Sequence, residues 1–310
     1  MSKLAVVMCT KNGEKFVEEQ LESIKNQTFK NFDIFISDNN SEDSTLKKIN
    51  KFKEKNHEMR INIEDGKDLF FGNNFIDLLQ RIEDKYDYYA FCDQDDIWLD
   101  FHLARGVKNL KNKENIPSIF CSRTYLIDEN GNNIGASKKF KKNPNFRNAL
   151  VQSIAGGNTM IFNNSAKKLM NNVSIDIEIV SHDWLLYLFI SAASGNVIYS
   201  IDPSVMYRQH LNNAIGSNNT FYDLLKRVRM LIAGDFKKYN DLNILQLDNF
   251  RYISKKNIKT YYLYKKSLEG SFFMKVIYKI RSKVYRQSIL GQLGLYFDII
   301  LKKKELNEKT

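Results

Sequence analysis

Three carboxylates follow one apolar run. Tyr88-Tyr89-Ala90-Phe91-Cys92 has the composition of a buried strand, and Asp93-Gln94-Asp95-Asp96 comes directly after it. Like charges this close repel each other and share the cost of leaving water. A divalent cation relieves both effects. Carboxylate oxygens suit magnesium or manganese, which keep positions open for substrate phosphates. The competing reading is a solvated acidic turn, with Asp95 or Asp96 capping a helix that starts near Leu99.

Other polar residues stand at comparable places. Thr10-Lys11-Asn12 follows an apolar run over 4–9, and Asp38-Asn39-Asn40 follows one over 33–37. Each could be ordinary turn chemistry. Ser181-His182-Asp183-Trp184 opens an apolar helix; Ser181 or Asp183 caps it, or Asp183 serves as a general base. Arg208-Gln209-His210 follows a strand pattern, so His210 is either structural or a ligand for metal or phosphate. Gly156-Gly157 is either a flexible turn or a place where backbone closely approaches an acceptor.

The surrounding pattern supplies a scaffold. Strands are predicted over 4–9, 33–37, 60–63 and 88–92. Helices with Val17, Leu21 and Ile24, with Leu46, Ile49 and Phe52, and with Phe75, Leu78 and Ile82 lie between them. Alternating strands and helices predict an α/β fold with a mostly parallel sheet. In such sheets ligands bind beyond the carboxyl ends of the strands, where the polar clusters fall. Further strands are predicted over 118–121, 125–127, 159–162, 197–201 and 205–207, with a helix over 146–154. No Gly-rich phosphate loop follows the first strand, so phosphate charge would have to be met by a metal and basic side chains.

Composition narrows the classes. A 43% hydrophobic content with 16 Tyr and 21 Phe can build a core, which excludes global disorder. Cys9, Cys92 and Cys121 lack metal-ligand spacing and are expected to be buried thiols. The run over 4–9 is too short for a signal peptide, and no apolar stretch has the length of a spanning helix. The net charge of +11 is uneven. Residues 220–310 hold 20 Lys and Arg against 8 Asp and Glu, which leaves residues 1–219 nearly neutral. Such a basic region asks for an anionic partner. Apolar residues recur at helical spacing there, through Leu224 to Ile232, Phe272 to Ile280 and Leu290 to Leu301, with Lys and Arg interleaved. Basic amphipathic helices can lie on an anionic membrane surface; the alternative is a helical extension packed on the front domain. The expected organisation is a catalytic domain over 1–219 and a basic helical region over 220–310.

Taken together, Val7-Met8-Cys9-Thr10-Lys11-Asn12-Gly13, Ser37-Asp38-Asn39-Asn40, Gly72-Asn73-Asn74-Phe75, Asp93-Gln94-Asp95-Asp96-Ile97-Trp98, Ser181-His182-Asp183-Trp184 and Tyr207-Arg208-Gln209-His210 resemble family 2 glycosyltransferases of the GT-A fold. Within that family the resemblance is to bacterial rhamnosyltransferase-like enzymes of surface polysaccharide synthesis. It implies that Thr10, Asn12, Asp38, Asn74, Asp93 and Arg208 bind a nucleotide-sugar donor, with Asp38 accepting from a pyrimidine imide. Asp93, Asp95 and His210 would hold Mg2+ or Mn2+, and Asp183 would be the base of an inverting displacement. Gly156, Gly157, His182 and Trp184 would face a glycan or lipid-linked glycan acceptor. The implied donor is dTDP-rhamnose, or alternatively a UDP-hexose or UDP-N-acetylhexosamine. The implied location is cytoplasmic, peripheral at the inner face of the bacterial cell membrane.

Two departures qualify the likeness. Lys11 stands where an aromatic is common, and the Gln-any-any-Arg-Trp motif of processive members is absent, Trp98 and Trp184 being the only tryptophans. One sugar, or very few, would be moved per encounter. A related nucleotidyltransferase would need the missing Gly-rich loop. A nucleic-acid-binding protein is permitted by charge alone, lacks a recognition motif, and is not expected.

Overall fold

The computed structural model describes residues 2–210, 229 and 234–300. The predicted run of 224–232 thus lies almost wholly outside the described residues. Four parallel strands form the first half of a seven-stranded sheet: β1 (Leu4–Thr10), β2 (Phe32–Asp38), β3 (Ile61–Asp65) and β4 (Tyr88–Cys92). They are joined by α1 (Val17–Lys25), α2 (Thr45–Lys55) and α3 (Phe71–Arg81). β6 (Ser118–Ser122), β9 (Ile161–Asn163) and β10 (Asn196–Ser200) complete the sheet in the order β10-β6-β9-β4-β1-β2-β3, with β9 antiparallel to both neighbours.

Every residue of β1 and β4 is buried, as a sheet covered on both faces requires. Alternation divides them between two cores. Ala5, Val7, Tyr89 and Phe91 join the layer of α3 and α7 (His182–Ala192). Leu4, Val6, Met8, Tyr88 and Ala90 join that of α1, α2 and α4 (His102–Leu110). All eleven residues of α7 are buried, so it runs through the interior. Cys9, Cys92 and Cys121 are buried free thiols.

Four short strands form a second sheet. It orders β5 (Ile97–Trp98), β11 (Val205–Arg208), β7 (Tyr125–Ile127) and β8 (Asn133–Ala136). This corrects one expectation. Asp95 and Asp96 do not cap a helix near Leu99, because Ile97-Trp98 pairs antiparallel with Val205-Met206 and α4 begins only at His102. The helix expected over 146–154 also stops early, as α5 (Phe146–Ala149). Gly157–Thr159 forms a 3-10 turn ahead of β9, and α6 (Asn164–Met170) follows.

Four helices close the described chain: α8 (Asp235–Asp248), α9 (Lys255–Lys266), α10 (Phe272–Ser282) and α11 (Ile289–Ile300). Ile244, Leu247, Phe250, Tyr261, Tyr264, Val284 and Leu295 belong to the same apolar cluster as α7, and the Phe189 and Phe250 rings lie 4.1 Å apart. The C-terminal helices therefore pack on the α/β core. Among the described residues no helix is long and apolar enough to cross a membrane.

Candidate active site

Parallel pairing brings three strand ends together. Thr10 lies beside Asp38 in the β1–β2 register, and Met8 beside Cys92 in β1–β4. Thr10 Oγ1 donates to Asp38 Oδ1 at 2.6 Å. The same carboxylate accepts from Ser41 Oγ at 2.7 Å and from the Ser41 N–H at 2.8 Å. The expected donor residue Asp38 is thus also the cap of its own turn. Asn12 is in the left-handed region at φ 48°, which Asn tolerates, and its Oδ1 accepts from the Glu42 N–H at 2.9 Å. Asn74 lies buried in α3, accepting from Ser37 Oγ at 2.8 Å. Thr10, Asn12, Asp38 and Asn74 therefore meet at the ends of β1 and β2.

The four residues after β4 have four different surroundings. Gln94 turns towards the first loop. Its Oε1 accepts from the Lys11 N–H at 2.9 Å and its Nε2 donates to Lys11 O at 3.0 Å. A side chain at Gly13 would sit 2.3 Å from Gln94 Oε1, so glycine there is a matter of space. Asp96 turns inward, fully buried. It accepts from Asn158 Nδ2 and from the Arg208 N–H. Asp95 Oδ2 lies 2.7 Å from His210 Nε2. Asp93 Oδ1 is sealed from solvent with no hydrogen-bond partner.

These surroundings oppose ionisation. Burial, then Asp95 and Asp183, push Asp93 up to about 8. Burial, then Asp95 and Asp93, hold Asp96 well above the usual carboxylate range. An orphaned buried carboxylate oxygen amid like charges is the donor set a hard divalent cation would satisfy. Asp93, Asp95 and His210 fit that role. As the side chains stand, no group of three or more His, Cys, Asp or Glu closes around one point among the described residues.

At the start of α7, Ser181 caps the helix by accepting from the Trp184 N–H. Asp183 sits in the first helical turn, accepting from Ser181 Oγ and from the Trp184 and Gly157 N–H groups. Burial outweighs these bonds and pushes its carboxyl up to about 7. His182 is buried with both ring nitrogens lacking partners, and burial lowers it to about 3, so it is neutral. Its ring stacks on Phe75 at 3.9 Å and meets Phe91 edge-on at 4.6 Å. Its other side lies against Gly157, where a Cβ would come within 2.3 Å of Nε2. Trp184 Nε1 donates to Ala149 O at 2.7 Å. Gly157, His182, Asp183 and Trp184 form one packed unit, with Gly156 entering its turn.

Arg208, expected at the donor, is occupied by protein. It is 1% exposed. Its Nε donates to Asp95 O at 2.9 Å, one terminal nitrogen donates to Glu129 O at 3.0 Å, and the other pairs with Glu19. The guanidinium lies 4.5 Å from the Phe16 ring centroid, and His210 stacks near that ring at 5.4 Å. The fork ties α1, the carboxylate loop and the second sheet together.

The sequence model described as Glycosyl transferase family 2 matches residues 5–170. The chain belongs to that family. It is 32% identical over 241 residues to the dTDP-rhamnosyl transferase RfbG of Shigella flexneri, spanning 72% of this chain and 78% of that one. It is 25% identical to the UDP-Glc:alpha-D-GlcNAc-diphosphoundecaprenol beta-1,3-glucosyltransferase WfgD of Escherichia coli, over 80% and 91% of the two chains. Among solved structures, the mannosyltransferase PcManGT of Pyrobaculum calidifontis, in complex with GDP-Man and Mn2+, superposes with a TM-score of 0.54. It covers 96% of this chain and 86% of its own at 14% identity, and so attests the fold. The enzyme is a family 2 glycosyltransferase with a GT-A architecture.

Several residues that shape this family 2 site were given no role from the sequence. Asn73 donates to Ile175 O and Ile177 O at 2.8 and 2.9 Å and accepts from the Ile179 N–H at 2.9 Å, fixing the segment that leads to Ser181. Asn158 joins Asp96 to Trp98, whose Nε1 donates to Asn158 O at 3.1 Å. Glu19 and Phe16 frame Arg208. The available signal was polar residues on faces that periodicity assigns to the interior, since a buried polar group needs a partner.

Proposed function

We propose that this glycosyltransferase moves L-rhamnose from dTDP-rhamnose, with inversion, onto a growing and lipid-linked cell-surface glycan, one sugar per encounter. The observation that carries the mechanism is the placement of Asp183. It is a single carboxylate, buried in the first turn of α7, with its value raised to about 7 and close enough to the Asp93–Asp96 loop for its charge to raise Asp93. A base of that strength takes a proton from an acceptor hydroxyl near neutral pH. The hydroxyl oxygen attacks the anomeric carbon, the bond to the diphosphate breaks, and the proton remains on Asp183. One displacement inverts the configuration, with charge development of the oxocarbenium kind.

On the donor side Thr10, Asn12 and Asp38 would line the nucleoside pocket, with Asn74 supporting it from α3. Asp93 and Asp95, with His210, would hold Mg2+ or Mn2+, which when bound neutralises the leaving diphosphate. Neutral His182 would order the acceptor beside Gly157. Arg208 would act through its grip on the Asp95 backbone. The similarity to RfbG supports rhamnose as the sugar. WfgD favours a second reading with a UDP-hexose donor, and its name supports a diphospholipid acceptor.

A donor panel tests this. The purified enzyme is given dTDP-rhamnose, UDP-glucose, UDP-N-acetylglucosamine and GDP-mannose with Mn2+ or Mg2+, and thermal stabilisation and slow hydrolysis are scored. Response to dTDP-rhamnose alone is expected. Response to a UDP-sugar alone replaces the donor and keeps the mechanism.

A further inference from the structure

The C-terminal helices bury one side against the core and leave two apolar stripes uncovered. On α10, Phe273 is 75% exposed, and Ile277 and Ile280 continue its face, with Phe272 beside them. On α11, Ile289 is 81% exposed, and Leu290, Leu293 and Phe297 are also open to solvent. The two helices are neighbours, since Lys279 Nζ on α10 donates to Leu295 O on α11 at 3.0 Å. Single exposed apolar residues need no explanation, but such runs on adjoining helices mark an interaction surface.

The charge around the stripes is mostly positive. From Ser271 to Ile300 the chain holds five basic residues and one acidic residue, Asp298. Arg281 and Lys283 are exposed at the end of α10. The catalytic domain adds a second basic segment, with exposed Lys138, Lys139 and Lys141. That segment is stitched to the α10–α11 connection. The Lys142 N–H donates to Gln287 Oε1 at 2.9 Å, Gln287 Nε2 donates to Lys142 O at 2.8 Å, and Lys142 Nζ donates to Arg286 O at 2.8 Å. It also lines a cleft of about 570 Å³ with Phe140 and Tyr199.

Apolar side chains fringed mainly by cations match an anionic bilayer, where the apolar face enters the headgroup boundary and each cation is attracted to lipid. A second copy of the chain would set like charges against each other. We propose that the α10–α11 pair and the 138–141 segment form one docking face for an anionic membrane surface. The basic segment runs directly into α5, whose Ala149 carbonyl holds Trp184 beside Asp183. Docking therefore anchors the chain a few residues from the acceptor side. This last point rests on the lipid-linked acceptor proposed above; the docking does not.

Co-sedimentation of the full chain with vesicles tests the proposal. Phosphatidylglycerol–phosphatidylcholine vesicles are expected to capture the enzyme, less so at high salt, and pure phosphatidylcholine far less. Phe273→Glu with Ile289→Glu, and separately Lys138→Gln with Lys139→Gln and Lys141→Gln, are each expected to lower partitioning by about tenfold or more. Circular dichroism and donor hydrolysis should match the wild type in both. Partitioning of both folded variants at the wild-type level overturns the proposal. So does a dimer, in sedimentation equilibrium, that Phe273→Glu dissolves. Vesicle capture without sugar transfer would refute the proposed reaction alone, and transfer to a water-soluble acceptor without capture would refute the docking face alone.

Discussion

Asp183→Asn keeps the outline of the acceptor side and removes its proton acceptor. The amide oxygen can still accept from the Trp184 and Gly157 N–H groups, and the Ser181 cap is untouched. Loss of a positioned base costs about 10²–10⁴-fold in rate, so kcat should fall by that range while the donor Kd changes little. The wild-type profile carries a second prediction from the same group. Burial raises the carboxyl from 3.8 to about 7. Only the ionised form accepts a proton, so kcat/KM should drop about tenfold per pH unit below 7 and level off above it. Stability should move in the opposite sense. Between about pH 4 and pH 7 the folded state binds more protons at this site than the unfolded chain, so its ionisation destabilises the fold as pH rises through that window. About three pH units at ~1.4 kcal/mol each set an upper bound of ~4 kcal/mol that the Asn variant would recover at pH 8. Product formation measured by chromatography from pH 5.5 to 8.5, with melting curves of both proteins, reads all three effects. A variant within threefold of wild-type kcat, or a flat wild-type profile, refutes the assignment of Asp183 as base.

Gly157→Ala places a methyl group 2.3 Å from His182 Nε2, and the stacked Phe75 blocks the ring's retreat. The start of α7 should shift and kcat fall about tenfold or more, with donor-induced thermal stabilisation retained. Asn73→Ala leaves three backbone groups of the 175–179 segment without their partner. Chemical denaturation should show a loss of about 2–3 kcal/mol, and hydrogen exchange should increase there. Asp93, raised to about 8, keeps its proton in the folded state between about pH 4 and pH 8, where the unfolded chain has lost it, so metal-free enzyme should melt lower at pH 8 than at pH 5. Mn2+ should restore the melting temperature at pH 8, and Asp93→Asn should reduce the slope, leaving the part that Asp183 contributes, and abolish the Mn2+ response; equal wild-type melting at both pH values in EDTA would count against this account. Arg208→Lys keeps the charge but cannot serve acceptors on three segments. Because Glu19 is half exposed, its ion pair contributes little; about 2 kcal/mol should be lost through the carbonyl bonds, with Mn2+ affinity falling alongside.

What could be read from the chain follows from where each signal is encoded. β1 and β4 were legible because a parallel sheet covered on both faces demands unbroken apolar runs, and Tyr88–Cys92 is one. Asp93, Asp95, Thr10 and Asp38 were legible as polar residues immediately past such runs. The short second sheet was harder. Ile97-Trp98 is two residues long and exists because Val205-Met206, over a hundred positions away, pairs with it. Propensity near Leu99 favoured a helix, and tertiary pairing overrode it. β8 and α6 were missed, and α8 and α9 were not individually placed within the region expected to be helical, because their residues carry no clean apolar period.

Arg208 shows why residue type at a strand end does not determine a role. A planar fork of five donors suits a phosphate, and its position after β11 beside His210 made that reading natural. The same fork equally suits oxygens converging from three segments, and here the Asp95 and Glu129 carbonyls and the Glu19 carboxylate supply them. Glu19 and Glu129 lie far from Arg208 in sequence, and no local pattern announces them. The consequence reaches the chemistry. A loop of three carboxylates would spring apart by its own repulsion unless its backbone were held. Arg208 Nε on Asp95 O, the Arg208 N–H on Asp96, Asn158 on Asp96 and Gln94 on Lys11 hold it at four points. Only Asp93 is left with a buried oxygen unsatisfied. Within this loop the unmet demand is thus confined to the one carboxylate whose ionisation Asp183 opposes.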